Sequence, residues 1–355
     1  MQRCLQLAEE GLGSVAPNPM VGCVIVRDGK IIGEGYHEKY GKAHAEVNGI
    51  QKLKDDSLLT ESTLYVSLEP CSHFGKTPPC SDLIIQKKVK RVIVGCLDTN
   101  PLVMGKGIEK LRNAGIEVIT NVMEDECREL NKRFFTYHEK KRPYIILKWA
   151  QTKDGFISKL LPFTKENNWI TNNESKRLVH QWRAQEQAIL IGTNTALVDD
   201  PQLTVRLTKG NNPLRILIDK DLKVSKSSNI FSADAETSVF TSSKSVTSSN
   251  ADSYRDEKHI SHFRIDFSRD IVQQILDILY QKKILSIIIE GGAQTLQSFI
   301  GQGFWDEARV FTGNTFFEKG IKAPVINGKL ISSEKIVDDE LKIYKNETTN
   351  SRFVS

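Results

Sequence analysis

The segment Glu69-Pro-Cys-Ser-His-Phe-Gly-Lys-Thr-Pro-Pro-Cys80 contains two cysteines, and His44-Ala45-Glu46 opens a helical pattern upstream of it. One imidazole and two thiolates, from His44, Cys71 and Cys80, make three protein ligands for Zn²⁺, one short of a closed tetrahedron. Zinc sites with an open fourth position are catalytic, because the metal lowers the pKa of water there to about 7. Glu46 lies two residues from a ligand and can move the proton of that water. The pattern therefore predicts a hydrolytic zinc site.

A second interpretation is a purely structural zinc site, which needs a fourth Cys or His as ligand, and the remaining cysteines are the candidates for it. Cys23 and Cys96 lie inside apolar strand-like runs and are predicted core residues, whereas Cys4 and Cys127 lie on helix-like segments and have no assigned role. The open pattern is typical of zinc deaminases, which combine His-x-Glu with a later Pro-Cys. Eight residues separate the two cysteines here, where the general deaminase pattern has about two.

The distribution of residue types predicts two domains, as does a length of 355 residues at about 150 residues per domain. All six cysteines lie at or before Cys127, and all four tryptophans lie at or after Trp149. The charged stretch between them ends in Pro143, where we place the join. We therefore expect one domain of residues 1–143 and another of residues 144–355.

Both predicted domains alternate strand-like and helix-like patterns, which indicates α/β folds. In the first we predict strands at 21–26, 64–68, 91–97 and 117–122, and helices around 44–54, 81–88 and 105–114. In the second we predict strands at 144–149, 188–192, 214–219, 286–290 and 308–312, and helices at 173–185 and 271–283. The serine-rich residues 225–253 are predicted to form a solvated surface loop, apart from a short strand at 238–241.

Composition excludes several classes of partner. Lys and Arg number 49 against 44 for Asp and Glu, which gives a net charge of +5 that is dispersed along the chain. We therefore expect no basic surface that binds nucleic acid, although this charge is compatible with a small anionic substrate. No run approaches the ~18 apolar residues of a membrane span, and the first residues lack an apolar signal core. We expect a cytoplasmic protein with reduced thiols that binds neither nucleic acid nor membrane.

Together with Ala16-Pro-Asn-Pro-Met-Val-Gly-Cys23, the block from Glu69 to Cys80 closely resembles the bacterial bifunctional deaminase-reductases of riboflavin biosynthesis. The resemblance implies an α/β protein with an N-terminal cytidine-deaminase-like three-layer domain followed by a dihydrofolate-reductase-like α/β domain. It implies zinc-dependent hydrolytic deamination of 2,5-diamino-6-(5-phosphoribosylamino)pyrimidin-4(3H)-one. NADPH-dependent reduction of the ribosyl side chain of 5-amino-6-(5-phosphoribosylamino)uracil to ribityl would follow. A homo-oligomer, dimer or tetramer, is also implied.

For the first domain, the resemblance implies that His44, Cys71 and Cys80 hold one Zn²⁺ and that Glu46 is the catalytic proton carrier. It implies substrate contacts by Asn18, His37, His73, Lys76, Asp98 and Asn100. Asp98 and Asn100 follow a predicted strand, where α/β sheets bind ligands, and Lys76 suits a phosphate. For His37 and His73, an exposed loop histidine remains an equal alternative.

For the second domain, the similarity rests on Tyr144-Ile-Ile-Leu-Lys-Trp-Ala-Gln-Thr-Lys-Asp-Gly155, Trp169-Ile-Thr171, Gln181-Trp-Arg-Ala184 and residues 192–206. It implies NADPH contacts by Gln151, Trp169, Thr195, Asp199, Gly292, Ala293, Gln294, Thr295, Leu296, Gln297 and Ser298. It implies substrate contacts by Lys148, Asn167, Arg183, Leu203, Arg206 and Glu290.

The residues themselves support part of this assignment. Residues 286–298 form a strand, glycine pair and helix pattern whose free N–H groups can bind an anion, although such glycines are more often only a turn. Arg183 and Arg206 suit a phosphate, and Glu290 suits sugar hydroxyls. Without the resemblance, Arg183 is equally a solvated surface residue.

Two other hypotheses stay open on the residues alone. A deaminase of nucleic-acid bases with an accessory domain shares the zinc chemistry, but it predicts salt-sensitive oligonucleotide binding. The sequence lacks the basic cluster that such binding needs. A non-catalytic, zinc-stabilised binding protein predicts a fourth protein ligand in place of water. Glu46 and the three-ligand pattern favour catalysis.

Overall fold

A computed structural model describes residues 1–74, 78–100, 103–160, 168–242 and 258–347 of the chain. The chain divides into two compact units, Met1–Arg142 and Pro143–Ser355. No helix in these described ranges combines the length and the apolar character needed to cross a membrane.

The first unit is built from six helices and five strands among the described residues. The helices are α1 (Gln2–Glu9), α2 (Ala45–Gln51), α3 (Cys80–Gln86), α4 (Lys106–Asn113), α5 (Glu124–Leu130) and α6 (Lys132–Lys140). The strands are β1 (Gly22–Arg27), β2 (Lys30–Tyr36), β3 (Thr63–Leu68), β4 (Arg91–Cys96) and β5 (Glu117–Ile119). A 3₁₀ turn at Asp56–Glu61 leads into β3.

The five strands form one sheet in the order β2-β1-β3-β4-β5, in which β3, β4 and β5 run parallel and β1 pairs antiparallel with both of its neighbours. Every second residue of β1, β3 and β4 joins one apolar cluster with α2, α3 and α4. A separate cluster of Ala8, Val15 and Met20 lies by α1, which contacts β1, β3 and α5. Helices thus cover both faces of the sheet, as expected for a three-layer α/β domain.

The second unit is larger. Its strands are β6 (Tyr144–Gln151), β7 (Phe156–Ser158), β8 (Ala188–Gly192), β9 (Leu214–Ile218), β10 (Thr237–Ser242), β11 (Ile260–Ile265), β12 (Ser286–Ile289), β13 (Glu307–Thr312), β14 (Ile321–Lys322), β15 (Lys329–Ile336) and β16 (Asp339–Lys345). Its helices are α7 (Asn173–Gln185), α8 (Thr193–Asp199), α9 (Ile271–Gln281) and α10 (Ala293–Gly301), with a 3₁₀ turn at Asn229–Phe231.

Nine of these strands form one sheet in the order β11-β10-β9-β8-β12-β6-β13-β16-β15, parallel from β11 to β13 and antiparallel at β16 and β15. Residues of one strand alternate between two cores: Ile145 and Leu147 pack with α9 and α10, whereas Ile146 packs with α7 and α8. Burial on both faces explains why β6, β8 and β12 are continuous apolar runs, which is typical of parallel sheets.

The predicted strands and helices are confirmed to within a few residues, but several elements were not predicted: α6, α8, β2, β7, β11, β14, β15 and β16. β2, with sequence Lys-Ile-Ile-Gly-Glu-Gly-Tyr, lacks strand-like composition because α2 crosses it closely. A Cβ at Gly35 would lie 2.3 Å from the amide nitrogen of Gly49 in α2, so only glycine fits there. β15 is an exposed edge strand without apolar alternation, and β11 has only one buried residue.

The serine-rich stretch differs in part from the predicted solvated loop. Arg215 of β9 is fully buried and donates hydrogen bonds to the carbonyl oxygens of Asn229, Ser232 and Ala235 and to Thr237 Oγ1. Burial lowers the pKa of this guanidinium to about 10, which still leaves it charged at neutral pH. Residues 229–237 are therefore tied to the sheet, while 243–257 lie outside the described residues.

Replacing Arg215 by Met should lower the free energy of unfolding of the second unit by about 2–4 kcal/mol, because several buried carbonyl oxygens lose their donors. The measurement is urea unfolding followed by tryptophan fluorescence, which reports on the second unit since all four tryptophans lie there. The matched control is Arg269→Met, whose side chain is 81% exposed, and it should change stability by less than ~0.5 kcal/mol. Equal effects of the two variants would contradict the assigned role of Arg215.

Candidate active sites

The three predicted zinc ligands come from the starts of two helices and the end of one strand. His44 immediately precedes α2, Cys80 is the first residue of α3, and Cys71 follows β3. The Nδ1 atom of His44 lies 3.6 Å from Cys71 Sγ and 3.4 Å from Cys80 Sγ, and one ligand atom of each residue lies within 4.8 Å of the others. The fold therefore gathers side chains that are up to 36 residues apart in sequence.

These distances fit a zinc ion. Bond lengths of about 2.3 Å to sulfur and 2.0 Å to nitrogen place the ligand atoms of a tetrahedral site about 3.5 Å apart. His44 and the backbone N–H of Cys80, which donates to Cys71 Sγ at 3.3 Å, favour the thiolate form of Cys71. The pKa of Cys71 is lowered, chiefly by its hydrogen bond with the Cys80 thiol and to a smaller extent by His44 and by this backbone N–H. Among the described residues, these three form the one group of metal-binding side chains with such spacing.

Glu46 lies beside this cluster in the first turn of α2 and is 3% exposed. Its pKa is raised, first because burial disfavours the charged carboxylate and second because of the nearby Cys71. A carboxyl group whose pKa is raised binds a proton more readily than a free one and can still release it. The position of Glu46 suits proton transfer beside the three ligands.

Asn18 and His37 join the same region. The His37 ring lies edge-on to the His44 ring with 5.3 Å between centroids, and its Nδ1 bonds to the carbonyl oxygen of Ala43 at 3.0 Å. Its Nε2 then accepts a hydrogen bond from Asn18 Nδ2 at 3.1 Å. His37 is only 2% exposed, which excludes the alternative of an exposed loop histidine, and burial lowers its pKa.

The other predicted contacts of the first unit that the structure describes lie in two loops. Asp98 and Asn100 follow β4, and the backbone N–H of Asn100 donates to Asp98 Oδ1 at 2.7 Å. Burial raises the pKa of Asp98 to about 7. His73 is partly exposed, and its Nδ1 is buried without a hydrogen-bond partner. Lys76 lies outside the described residues.

In the second unit, Glu290 joins two of the predicted substrate residues. Lys148 Nζ lies 2.6 Å from one carboxylate oxygen of Glu290, and a terminal nitrogen of Arg183 lies 2.8 Å from the other. Their side chains are 11–15% exposed, so Arg183 is not a solvated surface residue. Burial alone would raise the pKa of Glu290, but the two cations outweigh it and hold the pKa at about 2.

Arg206 is connected to this cluster by His180, which is hydrogen-bonded to Arg206 and close to Arg183 and Glu290. His180 was not among the residues predicted from the sequence. The Arg206 backbone N–H donates to His180 Nδ1 at 3.0 Å, and its guanidinium donates to Thr204 Oγ1 at 2.8 Å. Burial, followed by the charges of Arg183 and Arg206, lowers the pKa of His180 to about 4. Leu203, at the start of this segment, is buried with φ of +54°. Asn167 lies outside the described residues.

The predicted cofactor residues gather in part at the turn between β12 and α10. The Gly292 amide donates to Thr195 Oγ1 at 2.8 Å, and a Cβ at Gly192 would lie 2.6 Å from Thr295 Oγ1. This glycine-lined turn follows a parallel strand and leads into α10, on which residues 293–298 lie, and free N–H groups at the start of a helix can bind an anion. Thr195 and Asp199 lie on α8. Gln151 is the last residue of β6, and its Oε1 accepts a hydrogen bond from the Trp149 indole N–H at 2.9 Å. Trp169 is 52% exposed, with Lys176 over its ring.

Two residues absent from the sequence-based site therefore matter to its construction. His180 lies three positions before Arg183 on α7, so helical spacing indicated that it shares a face with that residue. Glu69 opens the cysteine block and accepts hydrogen bonds from four backbone amides, but no spacing rule predicts them.

Comparison with known proteins yields two family matches and several full-length relatives. Residues 1–96 match the cytidine and deoxycytidylate deaminase zinc-binding region, and residues 143–348 match the RibD C-terminal domain. The chain is 42% identical to riboflavin biosynthesis protein RibD of Aquifex aeolicus, over 99% of this chain and 94% of that protein. It is 36% identical to RibD of Actinobacillus pleuropneumoniae, over 97% of this chain and 94% of that protein.

Solved structures of full-length proteins give the same family assignment. A deaminase/5-amino-6-(5-phosphoribosylamino)uracil reductase of Thermotoga maritima aligns with a TM-score of 0.87 at 38% identity, over 98% of this chain and 97% of that one. RibD of Acinetobacter baumannii aligns with a TM-score of 0.86 at 31% identity, over 97% of each chain. The zinc-deaminase match and the ligand cluster establish zinc as a cofactor, and a reductase domain of the RibD type uses NADPH. The chain therefore belongs to the RibD family and is a bifunctional deaminase and reductase of riboflavin biosynthesis.

Proposed function

We propose that residues 1–143 deaminate the diaminopyrimidine ribotide and that residues 144–355 reduce its deaminated product, each at the side-chain cluster described for that part of the chain. The observation that carries the proposal is the convergence of His44, Cys71 and Cys80 beside the buried Glu46. It is joined by a second cluster of Lys148, Arg183 and Glu290, of which Lys148 lies within β6, Glu290 directly follows the parallel strand β12, and Arg183 lies on α7.

In the deaminase, His44, Cys71 and Cys80 would hold zinc, which when bound supplies the Lewis acidity that makes water nucleophilic near neutral pH. Glu46 accepts a proton from the attacking water, passes it to the ring nitrogen, and carries the second proton to the departing amino group. A C–O bond forms, the C–N bond breaks, and ammonia leaves.

The substrate of the deaminase would be held by the polar groups that surround this centre. Asn18 and the neutral His37 form one hydrogen-bonded pair, and Asp98 and Asn100 form another at the end of β4. His73 and Lys76 complete the proposed contacts, with Lys76 on the phosphate. The buried, unpartnered Nδ1 of His73 supports its role, because a ligand could satisfy it.

In the reductase, the cationic groups of Arg183 and Arg206 would bind the substrate phosphate. Each oxygen of Glu290 accepts one bond from a cation and keeps a lone pair, so that it can also accept a ribose hydroxyl. Leu203 and Asn167 would complete the pocket. NADPH supplies the hydride when bound, and the protein orients it through Gln151, Trp169, Thr195, Asp199 and residues 292–298.

The proposal also includes a cellular location and an oligomeric state. We infer that the enzyme works in the cytoplasm, which is supported by the free cysteines of the described residues and by the bacterial relatives. We also infer that it forms a homo-oligomer, dimer or tetramer, because symmetric homo-oligomers are the commonest protein assemblies. Its substrate is a small molecule, and we propose no nucleic-acid or membrane partner.

The direct test combines both reactions in one sample. Purified, zinc-replete protein is mixed with the diaminopyrimidine ribotide and NADPH, and ammonia and NADPH absorbance are followed together. Ammonia release that precedes NADPH oxidation supports the two assigned steps. Ammonia without NADPH loss would contradict the reductase cluster, and neither signal from zinc-loaded protein would contradict both clusters.

Glu46→Gln should lower the deamination rate by at least about 10³-fold, because the side chain can no longer accept a proton. Zinc content and reduction of the already deaminated substrate should stay at the wild-type level. The matched control is Glu38→Gln, an exposed carboxylate in the same part of the chain, which should leave both rates unchanged. Loss of both activities in folded Glu46→Gln protein would show that the two sites are not separable.

Arg206→Ala should raise the reductase KM for its substrate by about 10- to 100-fold, because a phosphate loses a paired donor. Deamination should be unaffected. Arg177→Ala removes a guanidinium that is 64% exposed on α7 and serves as the control, with no expected change in either KM. An unchanged KM in Arg206→Ala would remove this residue from the substrate site.

Glu290 also predicts a pH dependence of stability. Its pKa is about 2 when folded and about 4.3 in an unfolded chain, so the folded state gains stability above pH 4.3 that is lost as the pH falls towards 2. Glu290→Gln should cost about 2–3 kcal/mol at pH 7, and the difference from wild type should shrink steadily below pH 4. Tryptophan-detected urea unfolding from pH 7 to pH 2.5 measures it. The exposed Glu334→Gln is the control, and a pH-independent difference for Glu290→Gln would contradict the prediction.

A further inference from the structure

Glu69 is a buried carboxylate that the roles assigned above do not use. It is 4% exposed and lies between the end of β3 and the zinc ligand Cys71. One of its oxygens accepts the backbone N–H groups of Asp98 at 3.2 Å and Gly105 at 3.0 Å. The other accepts those of Gly107 at 3.0 Å and Ile108 at 3.4 Å. Four backbone amides therefore converge on one side chain.

These amides belong to the loop that carries Asp98 and Asn100 and to the helix that follows it. Gly105 precedes α4 in the left-handed region, with φ of +74°, and cannot cap the helix with a side chain. Glu69 thus supplies, from the segment after β3, the acceptor that the first turn of α4 needs. Its negative charge also suits the positive end of the helix dipole.

The segment that bears Glu69 also packs directly against α4. A Cβ added at Gly107 would lie 2.0 Å from the carbonyl oxygen of Pro70 and 3.2 Å from a carboxylate oxygen of Glu69. Only glycine lets the two backbones approach so closely, and the glycine is therefore a second, independent sign that this junction is built for contact. The junction connects the residue before Cys71 to the start of α4.

We propose that Glu69 is a positioning residue for deamination, which fixes the loop of Asp98 and Asn100 relative to the zinc ligand Cys71 through four backbone hydrogen bonds. The inference rests on the proposed roles of Asp98 and Asn100 as substrate contacts. A substrate held by these two residues meets the zinc centre correctly only if loop and ligand segment keep a fixed distance. Glu69 lies two residues before Cys71 and accepts a hydrogen bond from the backbone N–H of Asp98, so it links the two segments directly.

The test is Glu69→Gln in the full-length, zinc-loaded enzyme. An amide keeps the shape of the side chain, but one acceptor oxygen becomes an N–H₂ group that cannot accept from the two amides facing it. The KM of deamination should rise at least about tenfold. Zinc stoichiometry and the rate of reduction of the deaminated substrate should equal those of wild type.

A second readout does not depend on activity. Hydrogen–deuterium exchange should be faster in Glu69→Gln at the amides of Asp98, Gly105, Gly107 and Ile108, and unchanged along β3 and β4. Gly107→Ala disturbs the same junction from the other side and should reproduce both the higher KM and the faster exchange. Glu109→Gln makes the same chemical change at an exposed position of α4 and should alter neither.

Two further variants separate this inference from the proposed substrate contacts. Asp98→Asn and Asn100→Ala should each raise the KM of deamination, and adding Asn100→Ala to Glu69→Gln should raise it by less than the product of the two single effects. If neither loop variant changes KM, the proposed contacts are wrong and this inference fails with them. If both raise KM but Glu69→Gln does not, or if Glu69→Gln releases zinc, the contacts stand and the positioning role of Glu69 is overturned.

Discussion

Parallel strand pairing places the ends of segments that are distant in sequence at one edge of a sheet, and both sites depend on this constraint. In the first unit, β3 and β4 pair in parallel, and the residues after them include Cys71 and Asp98. In the second, parallel β6 and β12 bring Lys148 close to Glu290, which are 142 residues apart. A change in strand order would separate these groups even if every local element were kept.

Burial gives the acidic side chains of these sites different tasks. Glu290 receives one cation on each oxygen, and it therefore stays ionised although it is largely removed from water. Glu46 has the zinc ligands for neighbours, and burial raises its pKa. The same chemical group is thus held as a fixed negative charge in one unit, whereas in the other its raised pKa suits the proton transfer proposed for it, because the surrounding charges differ.

The sequence was sufficient to predict the elements that depend on the local pattern of apolar and metal-binding residues. Apolar runs predicted β6, β8 and β12, and the spacing of His44, Cys71 and Cys80 predicted the ligand cluster that the fold brings together. Pattern did not predict that His37 is buried, because burial depends on which loops cover it. The hydrogen bonds of Arg215 and Glu69 go to backbone groups far along the chain, and backbone acceptors and donors leave no trace in residue type.

Glu69 and Glu46 show that a sequence motif can identify residues near a site without distinguishing their roles. Both are buried carboxylates close to the ligands in sequence, and a motif marks them equally. All the oxygens of Glu69 are committed to backbone amides, so its proton affinity cannot be used in a reaction without breaking the loop and helix that it holds. Glu46 carries no comparable set of backbone partners from distant segments among the described residues, so it can gain or lose a proton while the fold stays intact. The difference between positioning and proton transfer therefore lies in the hydrogen bonds that each carboxylate already makes.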